Sequence, residues 1–381
     1  MHSKFVRRFV AGAIAIALPA LAVAQTPATT PATTTVQTPG TTLEFSGVLF
    51  PQFVYGGVKG NRSQNRFDVE RAYLNVKAKV ADRTSIRLTS DIYRPAAGAS
   101  YTLRAKYAYL QYDYWMNGEG YMGTTAQARL GMQQTMIVDQ EEGFWPRYIT
   151  QVATERAGFF TASDLGLSTT IGFRGGKAEM FGMVSNGTGY TQGENDRLKD
   201  YSLRFSFMPW GAPNAQHALI ISPWLYKGAR QSVIDAASGL KKDRLGVFAG
   251  WRSPAVMVGG DYAVATNENE AGTPANRTTQ DQSGTVISIY THVRPFTVMN
   301  GKGDPSWGVV LRYDRLDADN AYVPSGGAFP AAKGKFVVAG ITHDVNPRLS
   351  WALDYQQQSP NGAAAPALDL RTYNLHAMVA F

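Results

Sequence analysis

The C-terminal stretch from Arg371 to Phe381 constrains the fold of this chain more than any other part of it. One face of the stretch carries its apolar and aromatic side chains, at Tyr373, Leu375, Ala377, Val379 and Phe381. The opposite face is mostly polar, and a period of two residues is typical of a β-strand with one apolar face. Because chain ends usually fray, a fully formed strand at the terminus needs a partner. The last strand of a soluble sandwich would fit the pattern, but a closed barrel requires it, since its last strand must pair with its first.

The N-terminal end predicts that the chain is exported. Lys4, Arg7 and Arg8 precede an apolar run at 9–18, and the small residues Ala22-Val23-Ala24 follow. This order predicts a secretory signal peptide at 1–24, since the apolar run is too short to span a membrane. Residues 25–43 are mostly Thr, Pro and Ala, which predicts a disordered linker before a barrel domain at 44–381.

The composition excludes several classes of protein. The chain has no cysteine, so a disulfide scaffold, thiolate metal sites and cysteine nucleophiles are excluded. No segment after the leader has about 18 consecutive apolar residues, which excludes a helical membrane protein. The formal net charge of +8 includes three basic residues of the leader, and the remaining basic residues are not clustered. No nucleic-acid partner is therefore expected.

From Glu44 onward, runs with strand character alternate with turn residues. The predicted strands are 44–54, 67–80, 84–93, 102–115, 125–134, 165–173, 177–186, 200–208, 216–226, 243–252, 255–265, 283–292, 306–314, 335–343, 348–357 and 371–381. The breaks between them are alternately long and mostly short, as in outer-membrane barrels, and an even strand number places both chain ends at the short-turn rim. The sequence therefore predicts an all-β fold, a transmembrane antiparallel β-barrel of sixteen strands.

Polar side chains occupy one face of the regular strands. A Lys or Arg facing lipid at mid-depth would cost about 2–4 kcal/mol, so these faces are expected to line a hydrated lumen. The basic residues predicted to line it are Arg71, Lys77, Arg87, Arg104, Arg129 and Arg204. Pro51 and Pro223 fall inside predicted strands and are expected to mark bulges or misplaced strand ends.

The longest break, Thr135 to Asp164, is the third long loop and is rich in aromatic residues. Such side chains are expensive to leave in water, so the loop is expected to fold against other parts of the protein. Folded into the lumen, its acidic residues would face the wall arginines across a constriction. Packed on the rim, it would form only a surface cap. The residues predicted to form the constriction are Asp139, Glu141, Glu142, Arg147, Glu155 and Arg156.

Three runs resemble strands of the phosphate-selective porin O/P family: RFDVERAYLNVKAKV at 66–80, TSIRL at 84–88 and LRAKYAYL at 103–110. The final Phe381 also resembles the closing residue of bacterial outer-membrane barrels, where it is part of the assembly signal. The family implies a trimeric, sixteen-stranded, anion-preferring channel with a basic constriction. The loop at 135–164 departs from that pattern, because four acids precede Asp164 against two arginines. The residues themselves therefore predict only a weak anion preference.

Two classes of function remain open. The first is an outer-membrane porin, a homotrimer that lets small ions and hydrophilic solutes diffuse across the outer-membrane lipid of a Gram-negative-type cell. The second is a non-conducting barrel that acts as an adhesin, an anchor or a barrel enzyme. No enzyme activity, metal or cofactor is expected, because the five histidines are isolated from one another. The nearest candidate pair, His292 with Ser288, fits a histidine of the lumen better than a catalytic site.

Overall fold

The fold is a closed sheet of long strands. The computed structural model describes residues 34–38, 41–58, 64–95, 99–120, 124–173, 176–211, 216–300, 306–318, 333–360 and 369–381. The strands are β1 (Thr34–Thr38), β2 (Thr41–Val58), β3 (Gln64–Ala81), β4 (Thr84–Tyr93), β5 (Thr102–Trp115), β6 (Thr125–Gln134), β7 (Ser163–Gly172), β8 (Ala178–Ser185), β9 (Asp200–Trp210), β10 (Ala218–Gln231), β11 (Gly239–Arg252), β12 (Val256–Ala271), β13 (Thr278–Val293), β14 (Trp307–Ala318), β15 (Lys333–Asn346), β16 (Leu349–Pro360) and β17 (Leu370–Ala380). The short helices are α1 (Val138–Glu142), α2 (Ala153–Arg156) and α3 (Pro295–Asn300).

Strands β2 to β17 form a closed antiparallel barrel of sixteen strands, as the sequence predicts. Each strand pairs with its neighbours in the chain, and β17 pairs with β2 to close the ring. Closure removes the free sheet edges that a long amphipathic strand would otherwise expose. Within the described ranges, the three helices are all too short to be membrane spans.

The closing seam ends on Phe381. Its backbone N–H donates to the carbonyl of Gly47 at 3.0 Å, and the N–H of Gly47 donates to the carbonyl of Phe381 at 2.7 Å. A Cβ atom on Gly47 would lie 2.3 Å from the Phe381 ring. The ring therefore occupies the space that a side chain at position 47 would need. The terminal residue is fixed by its backbone and by its aromatic ring.

We expect deletion of Phe381 to impair barrel assembly more than conductance, because the deletion removes both seam hydrogen bonds and the ring over Gly47. Gly47→Val should weaken assembly by a comparable amount, since overpacking at a filled site costs about 1–3 kcal/mol. Heat-modifiable migration in gels measures the folded fraction. Gly193→Val is the matched control, because an added Cβ there has no neighbour within 4 Å. Full assembly of both seam variants would contradict this role of the terminal residue.

The predicted linker at 25–43 is shorter in the structure. Residues 34–38 form β1, which pairs antiparallel with the start of β2, and β2 begins at Thr41. The run Thr-Thr-Val-Gln-Thr is rich in β-branched residues, which suit a strand once an edge is available to pair with. A disordered state for these residues was therefore a wrong prediction. The predicted signal peptide at 1–24 lies outside the described residues.

Side chains alternate between the two faces of the wall. On β9, Tyr201, Leu203, Phe205 and Phe207 are exposed on the outer face, whereas Arg204 and Ser206 are buried on the inner face. The expected bulge at Pro51 is present as a register shift between Phe50 and Pro51. Near Pro223 the register shift lies between Leu219 and Ile221. An apolar outside and a polar inside are therefore the arrangement of the wall, as the sequence predicts.

The strands β10 to β13 are longer than predicted. They end at Gln231 and Ala271 and begin at Gly239 and Thr278, so the predicted long breaks at 227–242 and 266–282 shrink to short turns. Both faces of these added residues are polar, and the period of two therefore disappears from the sequence. Cross-strand pairs such as Lys241–Asp281 lie between the added parts of the strands.

Candidate functional site

The 135–162 segment, between β6 and β7, is the longest connection in the described chain and contains α1 and α2. The predicted break extended to Asp164, but Ser163 and Asp164 pair with β6 as the start of β7. The aromatic side chains of the segment are buried, and these are Phe144, Trp145, Tyr148, Phe159 and Phe160. The segment therefore packs against other parts of the protein, as its composition predicts.

Apolar contacts join the segment to several strands. The ring centroids of Phe144 and Phe248 on β11 are 5.3 Å apart, and those of Phe160 and Trp224 on β10 are 5.1 Å apart. Edge-to-face pairs at such distances add about 0.5–1.5 kcal/mol each beyond the area that they bury. The side of the wall formed by β10 to β16 thus presents apolar residues to the segment, although its neighbours along the same strands are polar.

Polar contacts join the segment to further strands. Arg147 forms an ion pair with Glu70 of β3 at 3.0 Å. The carbonyl of Gln151 accepts a hydrogen bond from Arg312 of β14 at 2.7 Å. In the sheet order, β3 and β11 are eight strands apart in a ring of sixteen. The segment therefore contacts strands on opposite sides of the closed sheet.

Two of the predicted wall arginines share one carboxylate. Asp91 on β4 accepts from Arg71 at 3.2 Å and from Arg104 at 2.8 Å, and its side chain is fully buried. The Arg104 guanidinium also lies between the rings of Tyr93 and Tyr190, at 3.5 Å and 4.2 Å from their centroids. Such stacking and bidentate geometry are specific to arginine. The shared carboxylate leaves this cluster with a smaller positive charge than two arginines would carry alone.

Arg87 and Arg129 have neutral hydrogen-bond partners. Arg87 donates to Asn75 and Thr89, each at 3.1 Å, and Arg129 donates to Gln111 and Gln134 at 2.9 and 3.2 Å. These contacts orient the two guanidinium groups without neutralising them. Both side chains lie on the same stretch of wall, β3 to β6.

Lys77 and Arg204 complete the predicted set of wall residues. Lys77 is exposed and stands opposite Arg87 in the register of β3 and β4. Arg204 is buried, where it contacts the carbonyl of Met136 and the carboxylate of Glu179. Arg204 thus anchors the start of the 135–162 segment to β9, whereas Lys77 lies away from the segment's printed contacts.

On the other side of the segment, Asp139 and Glu142 face the basic wall. The hydroxyl of Tyr107 donates to Asp139 at 3.3 Å, and Glu142 pairs with Arg147 at 3.2 Å. Burial raises the pKa of Asp139, and the positive charge of Lys106 opposes that shift most strongly. Burial also raises the pKa of Glu142 to about 7. These two acids are the part of the segment that lies near Arg87, Arg129 and Lys106.

The remaining predicted loop residues lie elsewhere. Glu141 points towards β12, where it contacts Asp261, and Thr154 donates to it. Arg156 is buried and donates to Thr150 and to Gln358 of β16. Burial, reinforced by nearby Arg312, lowers the pKa of Arg156 to about 10. Glu155 is half-buried in α2.

Sequence reasoning missed the role of Lys106. The register of β4 and β5 shifts between Thr89 and Ser90, which leaves Lys106 as an extra residue opposite the shift. Lys106 and Tyr107 are both buried on the inner face, and the Lys106 ammonium lies 3.3 Å from the Tyr73 hydroxyl. A bulge of this kind breaks the period of two. The sequence signal is the polar run Arg104 to Tyr107, in which strict alternation fails.

The candidate catalytic pair of the sequence is held by separate partners. Ser288 donates to Asp314 at 2.7 Å, whereas the His292 ring contacts the Thr342 hydroxyl at 2.9 Å. A nucleophile and its base would instead need to lie within hydrogen-bond reach of each other. Among the residues that the structure describes, no group of three His, Cys, Asp or Glu side chains could hold a metal ion.

Solved structures with the same architecture are outer-membrane proteins. The outer membrane channel DcaP of Acinetobacter baumannii matches with a TM-score of 0.64 and 12% identity, over 91% of this chain and 99% of that one. The chain has the sixteen-strand porin fold. OmpF of Salmonella typhi, solved with daunomycin, shares this porin fold at a TM-score of 0.59 and 10% identity, over 91% of this chain and 100% of that one.

A trimer form of OmpT from Vibrio cholerae has the porin fold as well, with a TM-score of 0.53 and 10% identity, over 90% of this chain and 100% of that one. No protein-family model matches the chain, and no curated protein matches its sequence. The resemblance to the phosphate-selective porin O/P family is therefore not supported by these comparisons, although the porin fold is.

Proposed function

We propose that the protein is an outer-membrane porin, a passive diffusion channel for small ions and hydrophilic solutes with a weak anion preference. The observation that carries this proposal is the closed barrel with polar side chains inside, crossed by one segment that contacts strands on opposite sides. A water-filled interior bounded by a polar wall is what passive diffusion requires. The fold likeness to DcaP, itself an outer membrane channel, supports it.

In this proposal the 135–162 segment lies in the lumen and narrows it. Its apolar side packs on the wall from β10 to β16, and its acidic side faces the wall from β3 to β6. The solute path then runs between the acids Asp139 and Glu142 and the arginines Arg87 and Arg129. A transverse field between opposite charges orients solutes as they pass.

The weak anion preference follows from the charges along this path. Arg87 and Arg129 keep their full charge because their partners are neutral, and Lys77 stands beside Arg87. Asp91 offsets part of the charge of Arg71 and Arg104, and Asp139 opposes Arg87 and Arg129. Phosphate is the anion that the family resemblance adds, and this partly balanced set of charges favours a general anion path over a phosphate-selective one.

The proposed setting is the outer membrane of a Gram-negative-type cell, reached with a cleaved signal peptide at 1–24. The apolar outer face of the barrel would contact the membrane lipid. A homotrimer is proposed as the assembly, and the trimer form of the Vibrio cholerae OmpT, which shares the fold, supports it. No enzyme activity and no cofactor form part of this proposal.

Planar bilayer recordings test the proposal. The purified protein should give stepwise conductance, and reversal potentials in a salt gradient should show a small anion preference. Replacing Arg71, Arg87, Arg104 and Arg129 together by glutamine should move the reversal potential towards cations. Block of chloride current by micromolar phosphate would add phosphate selectivity. Persistent silence would refute the channel and favour an adhesin, an anchor or a barrel enzyme, and an unchanged reversal potential would show that the four arginines do not line the path.

A further inference from the structure

Two buried acids meet where the 135–162 segment contacts β12. Glu141 is fully buried in α1, and Asp261, on β12, is 5% exposed. The two carboxyl groups hydrogen-bond to each other, and the Thr154 hydroxyl donates to both oxygens of Glu141, at 2.8 and 3.1 Å. Glu141 thus connects the two helices of the segment to the barrel wall.

A hydrogen bond between two carboxyl groups requires a proton. An ionised carboxylate only accepts hydrogen bonds, so one of the two groups must carry the hydrogen that joins them. In their ionised form the two groups would instead repel each other in a site that excludes water. The contact between Glu141 and Asp261 therefore exists only while at least one of them is protonated.

The cations near the pair are bound to other groups. The Arg312 guanidinium donates to Asp314 at 2.7 and 2.8 Å and to the carbonyl of Gln151 at 2.7 Å. Arg156 donates to Thr150 and Gln358. Neither arginine replaces the shared proton, because each is held by these other partners.

The charges of this buried region balance when the pair holds one proton. The two arginines, Arg156 and Arg312, are offset by Asp314 and by the single negative charge of the protonated pair. The Tyr290 hydroxyl also faces both acids, and it carries no charge in its protonated form. Loss of the shared proton would leave one uncompensated negative charge in a buried site, which is strongly unfavourable.

We propose that Glu141 and Asp261 form a proton-dependent latch that fastens the 135–162 segment to β12. With the proton present, the hydrogen bond holds α1 against the wall. With both groups ionised, repulsion releases α1, and the segment loses this attachment. The effect of the latch on conductance rests on the proposed channel function, whereas the latch itself is a contact within the fold.

The direction of the pH effect follows from the shift of the acid. Burial, with the neighbouring Asp261 as the next cause, raises the pKa of Glu141 well above its ordinary value of 4.5. A group whose pKa is raised in the folded state contributes its full stabilisation below the ordinary value and loses it as the pH rises through the raised one. The latch is therefore closed in acidic solution and opens as the solution becomes alkaline.

Amide hydrogen exchange of the full-length protein in lipid nanodiscs tests the latch. Exchange at residues 138–156 is measured from pH 6 to 10 and corrected for the intrinsic rate of exchange. We expect protection of this segment to fall about tenfold for each pH unit above the opening point, since the latch loses one proton. In Glu141→Gln, the amide donates to ionised Asp261 at every pH, so protection should stay constant. Asp261→Asn should behave in the same way.

Glu155→Gln is the matched control for hydrogen exchange, because it removes an acid from the same segment without touching Asp261. It should keep the pH response of the wild type. A pH response of Glu141→Gln and Asp261→Asn equal to that of the wild type, in protein that runs as folded barrel in gels, would overturn the latch. Conductance recorded in parallel separates the two proposals: pH-dependent protection without current refutes the channel alone, and current without pH-dependent protection refutes the latch alone.

Discussion

Replacing Trp145 by alanine is expected to give a larger, noisier conductance and a less stable protein. Trp145 is 1% exposed, its indole N–H donates to the carbonyl of Thr150 at 2.9 Å, and its ring packs edge-on against Tyr290 at 5.5 Å. The Arg312 guanidinium lies 4.9 Å from the ring centroid. Removing a buried tryptophan costs about 3–5 kcal/mol, most of it here lost from the packing of the 135–162 segment. Single-channel recordings and urea unfolding in detergent measure the two effects.

Trp115→Ala is the control for this change. Trp115 ends β5 on the exposed side of the wall, at 38% exposure, and does not belong to the 135–162 segment. The same loss of an indole ring should therefore leave conductance close to that of the wild type. Wild-type conductance and stability in Trp145→Ala would show that the packing of this ring does not hold the segment in place.

Replacing Asp91 by asparagine is expected to raise the anion preference of the channel. The substitution removes the single carboxylate that Arg71 and Arg104 share, so both guanidinium groups keep their full charge. One unit charge at 4 Å in a water-like medium changes the energy of an ion by about 1 kcal/mol, which corresponds to up to about fivefold in relative permeability. Reversal potentials in a salt gradient measure this change. Asp91→Glu should restore the wild-type value, because it returns the charge.

The control for Asp91→Asn is Asp281→Asn. Asp281 is also the acid of an ion pair, with Lys241, but it lies exposed at the outer end of β13. Loss of its charge should leave the reversal potential unchanged, since a surface charge beyond a Debye length from the path is screened. Equal reversal potentials for Asp91→Asn and the wild type would place Asp91 and its two arginines away from the path.

The strands could be predicted closely because their signal is local. The bounds of β4, β5 and β6 agree with the predicted 84–93, 102–115 and 125–134. Each strand alternates between lipid and a polar interior, so every second residue reports the face on which it lies. The prediction failed where that contrast disappears, as in the polar ends of β10 to β13 and in the short strand at 34–38.

The candidate site was predicted in part. Aromatic content alone indicated that the 135–162 segment packs against something, since buried rings are the favourable outcome for such a loop. The sequence did not indicate which acid faces which wall. Glu141 and Glu142 are neighbours in the chain, yet Glu141 meets Asp261 on β12 and Glu142 meets Arg147 and the basic side. The helical turn of α1 sends adjacent side chains in different directions.

The sequence by itself determined the sixteen strands, the face of most wall residues and the closing role of Phe381, because each depends on alternation or on position at the end of the chain. Only the tertiary structure decided the partners: the seam between Phe381 and Gly47, the carboxylate that Arg71 and Arg104 share, and the buried pair of acids. Those contacts join residues far apart in the chain. They depend on the barrel's register and bulges, which set distances that no local pattern records.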